Sequence, residues 1–457
     1  MTMQITRAEI DAALERASTT KHLVFGTGVV NDGAHLIQTL FPDRPAMLIA
    51  DETTFRVAGQ DMHDTLVAAG HPVLAPIIFP AVPGLRPDTK NVERIRAELV
   101  GVSAPVVPVA VGGGTINDLV KRASFEAGLP YVVVGTAASM DGYTSSGAAL
   151  IHNGVKQTIA CPAPVAVIAD LDVIVNAPKP MTASGYGDLV GKITAGADWL
   201  IADALGIEPL IPDVWDLVQG PLKEMIADSE RFQQGDPAAM EQLFYGLVIT
   251  GLAIQFAGST RPASGSEHQF SHLWEMRGLE YEGEFVSHGF KVGLGSIFST
   301  VLYERLLDRD LTALDVDAIV ANWPSWDEEE REISALDEHP SLLGRALEEC
   351  RAKYIPADVL RERLELLKTQ WPDLRGKLRD QLMPVDELRS LLANGGCPVR
   401  PEQIGLTVEQ MKASYAEARL IRKRYTVYDL AYETGIFDEL VDELFVPGGY
   451  WAAVPAV

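Results

Sequence analysis

The residues that could do chemistry are concentrated in two short strings. His268 and His272 lie in "SGSEHQFSH" and His288 in "FVSHG", in a chain with only nine histidines. Imidazole binds metals and carries protons near neutral pH. His268 and His272 are four apart, which puts them on one face of a helix. Gln269 stands where a metalloprotease H-E-x-x-H would carry its glutamate, so the general base of that chemistry is missing. A glycine follows His288 and marks a turn or helix start. Two or three such histidines and one carboxylate would suit zinc, nickel or iron and leave a position open for a substrate. Spacing alone leaves open that the pair packs in a core or faces solvent. The carboxylate must come from elsewhere, and Asp188 in "GYGDLVGK" is the best placed.

A second kind of chemistry is written in "VAVGGGTINDLVK", residues 109–121. An apolar strand runs into Gly112, Gly113 and Gly114, and a helix follows. Glycines let the backbone approach a ligand, and the helix aims free N–H groups and its positive dipole end at the turn. Thr115 can add a hydroxyl, and Asn117 or Asp118 can cap. This is the physics of a pyrophosphate cradle for a dinucleotide, although the chain has neither G-x-G-x-x-G nor a Walker loop. The alternative is a tight turn that needs glycine for conformation alone. Asp51 ends the strand "MLIAD". An acid there can accept from a ribose diol and repel a 2′-phosphate, favouring NAD over NADP; it can equally cap a helix. The loop "VGTAASMDGYTSSG" (134–147) follows a strand and is dense in hydroxyls and small residues. It can hold a nicotinamide or a polar substrate.

These strings need elements to position them. The chain has 457 residues, 47% hydrophobic and 22% charged, enough for two globular domains. The first 175 or so residues alternate short apolar strands ("HLVFGTG", "PAMLIAD", "HPVLAPIIF", "PVVPVAVGGG", "PYVVVGTAAS", "PVAVIADLDVI") with helical stretches. That pattern predicts a doubly wound parallel sheet, Rossmann-like and covered on both faces. Beyond "NAPKPMTASGYGD" the chain reads as helical. The expected division is therefore a nucleotide-binding α/β domain over 1–180 and an all-α metal- and substrate-binding domain over 181–457. A cleft is expected where strand ends meet helices.

Net charge is −25, which argues against nucleic acid or an anionic membrane as partner but allows a small anionic substrate. Cys161, Cys350 and Cys397 form no CxxC pair, as expected of a reducing cytoplasm. The polar start has no signal core, and the longest apolar run (243–258) carries Gln255, so it reads as a buried helix rather than a membrane span.

Five strings, "GGGTIND", "GTAASMDGYTSS", "GYGDLVGKITAGADW", "RPASGSEHQFSHLWEM" and "SHGFKVGLG", resemble in order the motifs of the sn-glycerol-1-phosphate dehydrogenases, in their bacterial branch. That family belongs to the superfamily of iron-containing alcohol dehydrogenases, glycerol dehydrogenase and dehydroquinate synthase. The resemblance runs from about residue 20 to "YTVYDLAYETGIFDELVDELF" and is weakest over 320–410. It implies a dehydroquinate synthase-like fold and NAD or NADP as cofactor. It implies one divalent metal (Zn, Ni or Fe) on Asp188, His268 and His288, with His272 beside the ligands rather than among them. Gly112 to Thr115 would hold the pyrophosphate, with Asp118 in the same cofactor set. Asp51 would take the ribose, Thr136, Ser139 and Ser145 the nucleotide, and Asp141 the substrate hydroxyls. The implied reaction reduces dihydroxyacetone phosphate to sn-glycerol 1-phosphate, with the proton arriving through water or His272. The substrate phosphate is expected on Lys156 and Lys192, with Arg261 and Lys291 behind them. Other readings are a cyclase of dehydroquinate synthase type that uses NAD transiently, a dehydrogenase of unphosphorylated glycerol or alcohols, and a non-catalytic nucleotide-binding protein. A homo-oligomer, at least a dimer, is implied as well.

Overall fold

The computed structural model describes residues 5–82, 84–152, 155–336 and 340–453. Eight strands belong to the N-terminal part: β1 (His22–Gly26), β2 (Ala46–Asp51), β3 (Ile77–Phe79), β4 (Val107–Gly112), β5 (Val132–Gly135), β6 (Ala148–His152), β7 (Val155–Ile159) and β8 (Ala166–Asp170). Six of them form one sheet in the order β1-β8-β5-β4-β2-β3, with every pairing parallel. The central strands β4, β5 and β8 are buried along their whole length. That is why they read as unbroken Val, Ile and Ala: both faces of a parallel sheet are covered, so neither face asks for polar residues. Register aligns the strand ends: Gly112 opposite Gly135, and Gly26 opposite Asp170. The loops that follow β4 and β5 therefore emerge side by side. Strands β6 and β7 form a separate antiparallel hairpin that the alternating pattern did not disclose.

By compactness the chain falls into two units. The first takes Met1–Leu189, Gly220–Thr260 and Asn394–Gly396; the second takes Val190–Gln219, Arg261–Ala393 and Cys397–Val457. The apolar run expected to be a buried helix is the helix Pro237–Ala257 of the first unit. Among the described residues it alone is long and apolar enough to cross a membrane, and 78% of its most apolar window is buried inside the protein. Its polar residue, Gln255, donates from Nε2 to the carbonyl of Thr144 (2.5 Å) and accepts at Oε1 from the Thr19 N–H (3.0 Å). The Thr144 hydroxyl in turn donates to the Val248 carbonyl at 2.7 Å. The helix is thus the floor under the loop after β5. Gly185 allows another close approach to that loop, because a Cβ there would sit 2.0 Å from the Ala138 carbonyl oxygen.

Among the described residues the second unit is helical apart from one ribbon, Glu280–Tyr281 with Glu284–Phe285. Its two-residue turn is Glu282 (φ 53°) and Gly283 (φ 84°), both left-handed as a tight hairpin turn requires. This corrects the all-α expectation, and it matters because the ribbon joins the helix Ser266–Met276 to the helix His288–Leu307. Phe270 anchors the pair: its ring meets Phe298 at 5.0 Å and Tyr415 at 5.2 Å, both edge to face. The weakly resembling region contains the helices Trp326–Ser334, Pro340–Lys353, Ala357–Gln381 and Val385–Asn394.

Candidate functional site

The helix Ser266–Met276 is fixed at its start by a buried carboxylate. Asp198 Oδ2 accepts from the Ser266 N–H (2.6 Å), while Oδ1 accepts from the Tyr303 hydroxyl (2.6 Å) and the Val427 N–H (2.8 Å). Burial raises its pKa, and these donors and Arg261 offset part of the rise. Glu267 is also fully buried, accepting from the Thr194 hydroxyl and the Gly265 N–H, each at 2.6 Å. Burial first, then the charge of Asp198, pushes Glu267 up to about 7.

On that scaffold the ring centroids lie 5.2 Å apart for His268 and His288, 5.9 Å for His268 and His272, and 6.2 Å for His272 and His288. Each ring has a carboxylate on Nδ1: Glu267 Oε1 at 2.6 Å from His268, Glu275 Oε1 at 3.0 Å from His288, and Glu275 Oε2 at 3.4 Å from His272. A carboxylate on Nδ1 favours the proton there and leaves the Nε2 lone pair outward, the orientation a metal-binding histidine needs. Burial, followed by the charge of Lys192, holds His268 well below the usual histidine range. Burial also takes His272 down to about 4, with Glu275 opposing. Both are neutral at pH 7.

Asp188, His268 and His288 each present one ligand atom, and these atoms lie within 4.8 Å of one another. One oxygen and two nitrogens suit a borderline divalent ion, and the Nδ1 partners orient both rings for it. The residues present therefore fit a metal. Asp188 Oδ2 also accepts from the Asp141 N–H at 3.0 Å, so Asp141 reaches this site through its backbone. Glu275→Gln is expected to weaken metal binding about 10- to 100-fold, because it removes the charge that orients His288. Chelator competition measures this, and unchanged affinity would show that Glu275 has no such role.

The remaining expected cations divide clearly. Lys192 is fully buried, one helical turn beyond Asp188. Lys156 lies on β7, but its side chain is outside the described residues. Arg261 donates to the carbonyls of Tyr425 (2.9 Å) and Asp198 (2.6 Å), and Lys291 to that of Val286 (2.6 Å), so both are committed to internal structure.

In the first unit, Gly112 ends β4 and Gly113 precedes the helix Gly114–Glu126 with φ −83°. None of the three glycines takes a left-handed conformation, which argues against the conformation-only alternative. They provide space instead: a Cβ on Gly113 would lie 3.2 Å from Met181 Cε. The cap expected from Asn117 or Asp118 is not formed. Asp118 accepts from the Ala149 N–H (3.0 Å), and Asn117 donates to the Gly142 carbonyl (3.1 Å). Lys121, which the sequence reading passed over, is buried and donates to the carbonyls of Gly142, Ser145 and Gly147 at 2.9–3.0 Å. These three side chains hold the 142–149 segment against the glycine helix. Their clustering within about one helical turn of "NDLVK" was the available signal. Thr136, Ser139 and Ser145 are buried in this loop, and Thr115 is half-buried beside it. Asp51 closes a capping box with Thr54, accepting its N–H at 2.7 Å, at the strand end where the ribose was expected.

Parallel sheet, helical part and donor set together define the class, a dehydroquinate synthase-like fold of the iron-containing alcohol dehydrogenase type. Residues 8–178 match the iron-containing alcohol dehydrogenase family. A probable glycerol dehydrogenase from Sinorhizobium meliloti superimposes with TM-score 0.59 over 93% of this chain and 98% of its own, at 15% identity. Glycerol-1-phosphate dehydrogenase [NAD(P)+] from Geobacillus thermodenitrificans is 32% identical over 320 residues, 70% of each chain. The enzyme of that name from Bacillus licheniformis is 36% identical over 269 residues, 59% of this chain but only 66% of its own. The chain belongs to the glycerol-1-phosphate dehydrogenase [NAD(P)+] family.

Proposed function

We propose that the protein reduces dihydroxyacetone phosphate to sn-glycerol 1-phosphate with NADH or NADPH, reversibly. The observation that carries this reading is the set Asp188, His268 and His288, with carboxylates orienting both rings, in a chain of this family. A divalent ion bound there would polarise the substrate carbonyl. The residues of the chain do the rest. Gly112–Thr115 admit the pyrophosphate at the helix start, and Asp51 accepts from the ribose and disfavours a 2′-phosphate. Thr136, Ser139 and Ser145 line the nucleotide, and Asp141 meets the substrate hydroxyls. A nicotinamide cofactor bound there would supply hydride to the carbonyl carbon, whose oxygen then needs a proton. His272, neutral and backed by Glu275, passes that proton from water. Lys192 contributes positive charge for the anionic substrate.

The working place is the cytoplasm, supported by three free, buried cysteines. Part of the same proposal is a homo-oligomer, which light scattering would read. The deciding experiment is NADH and NADPH oxidation with dihydroxyacetone phosphate and added Zn, Ni or Fe, followed by chiral analysis of the product. The sn-1 enantiomer is expected. Release of phosphate without net NADH loss would replace this reading with the cyclase, and equal rates on free dihydroxyacetone would replace it with a polyol dehydrogenase.

A further inference from the structure

A cation that the sequence does not single out is tied to the segment that leads into the histidine helix. Arg422 follows the end of the helix Val408–Leu420. It is half-buried, and its Nη1 donates to the hydroxyl of Ser264 at 3.0 Å. Ser264 is buried and lies four residues before His268. Among the described residues that hydroxyl is the guanidinium's one hydrogen-bond partner, and no carboxylate forms an ion pair with it. The other buried arginines nearby are differently placed: Arg419 pairs with Glu329 and stacks on Tyr432, and Arg261 is spent on carbonyls. A partly desolvated guanidinium held by one neutral hydroxyl is an expensive arrangement unless something anionic completes it. Its remaining N–H groups form a planar fork that matches an oxyanion.

The surroundings hold this arginine firmly. The last carbonyls of the helix Val408–Leu420 would ordinarily go to water. Here side chains of the helix Pro340–Lys353 take them: Lys353 Nζ on Arg419 O (2.5 Å), Cys350 Sγ on Leu420 O (3.5 Å) and Arg345 Nε on Ile421 O (3.3 Å). Glu349, from the same helix, accepts from the Lys423 N–H at 2.7 Å while pairing with Arg345. On the other side Arg424 donates to Ser264 O (2.5 Å), and Gln269 donates to Arg424 O (3.1 Å). The weakly resembling 320–410 region therefore supplies the brace for this segment.

We infer that Arg422, with the Ser264 hydroxyl, grips the phosphate group of the substrate, a role so far assigned to Lys156 and Lys192. The inference rests on the proposed function for the identity of the substrate. Arg422→Met is expected to raise KM for dihydroxyacetone phosphate about 10- to 100-fold, the weight of a charged hydrogen-bonded contact, while kcat is largely kept. Metal content, KM for NADH and kcat/KM on free dihydroxyacetone should not move, and Arg422→Lys should recover part of the loss. An unchanged KM for the phosphorylated substrate overturns the inference, as does an equal loss on free dihydroxyacetone. If the wild-type protein does not turn over dihydroxyacetone phosphate, the proposed function fails, and calorimetry with inorganic phosphate decides the grip separately. Binding by the wild type that disappears in Arg422→Met upholds it; equal binding, or none in either protein, overturns it.

Discussion

Asp188→Ala and His268→Ala are each expected to lose the bound metal and about 1,000-fold or more of kcat/KM. The estimate follows from charge stabilisation by a bound ion, worth several kcal/mol, at about 1.4 kcal/mol per tenfold. Two remaining donors hold an ion poorly, and in each variant one of the three converging atoms is gone. Each ligand also has a structural duty, which the choice of variants can separate. Asp188 accepts the Asp141 N–H, so Asp188→Asn keeps an acceptor for that bond while removing the ligand charge. His268→Ala removes one of the partners of the buried Glu267 carboxylate, leaving Thr194 and Gly265, and adds a folding cost, whereas His288 is half-buried and its removal costs less. Elemental analysis after gel filtration, alongside NADH oxidation and a thermal melt, distinguishes these effects. Full metal content and full activity in Asp188→Asn or His288→Ala would refute the assignment.

Asp198→Ala is expected to destabilise the protein on the order of 3–5 kcal/mol, the usual cost of removing one member of a buried charged network. The variant leaves the Ser266 and Val427 N–H groups and the Tyr303 hydroxyl without their acceptor, all inside the protein. Each stranded donor costs about 1–3 kcal/mol. For a protein of this size the melting temperature should fall by roughly 3–5 °C. Asp198→Asn keeps part of the accepting capacity and should lose less. Metal affinity should fall with stability in Asp198→Ala, because Ser266 opens the helix that carries His268 and His272. Calorimetric melting with and without added zinc tests both points, and a melting temperature within a degree or two of wild type would sink the argument.

Much of this molecule could be read along the chain. Apolar runs marked all six strands of the sheet, five of them ending in glycine or aspartate and β3 in Phe79, because a strand covered on both faces needs no polar alternation. The spacing of His268 and His272 put them on one helix face, and Asp188 was the apt carboxylate. What could not be read was which polar groups would be buried together. Asp198 in "TAGADWL", Lys121 in "NDLVK" and Arg422 in "IRKRY" look like surface charges, and each is instead placed by partners distant in sequence. The helix Pro237–Ala257 was legible as buried, but not as the floor under the 141–145 loop.

The sequence by itself determined most of the element types and the glycine turn, since helical and strand periodicities are local properties, and its resemblance to the family nominated the three metal donors. Tertiary structure alone decided the tautomers, the pKa shifts and the commitments of the buried cations. A side chain's charge and proton depend on how much water is removed and which partner replaces it. That is settled only when Glu275 reaches His288 across the ribbon and the helix Pro340–Lys353 closes over the carbonyls leading to Arg422.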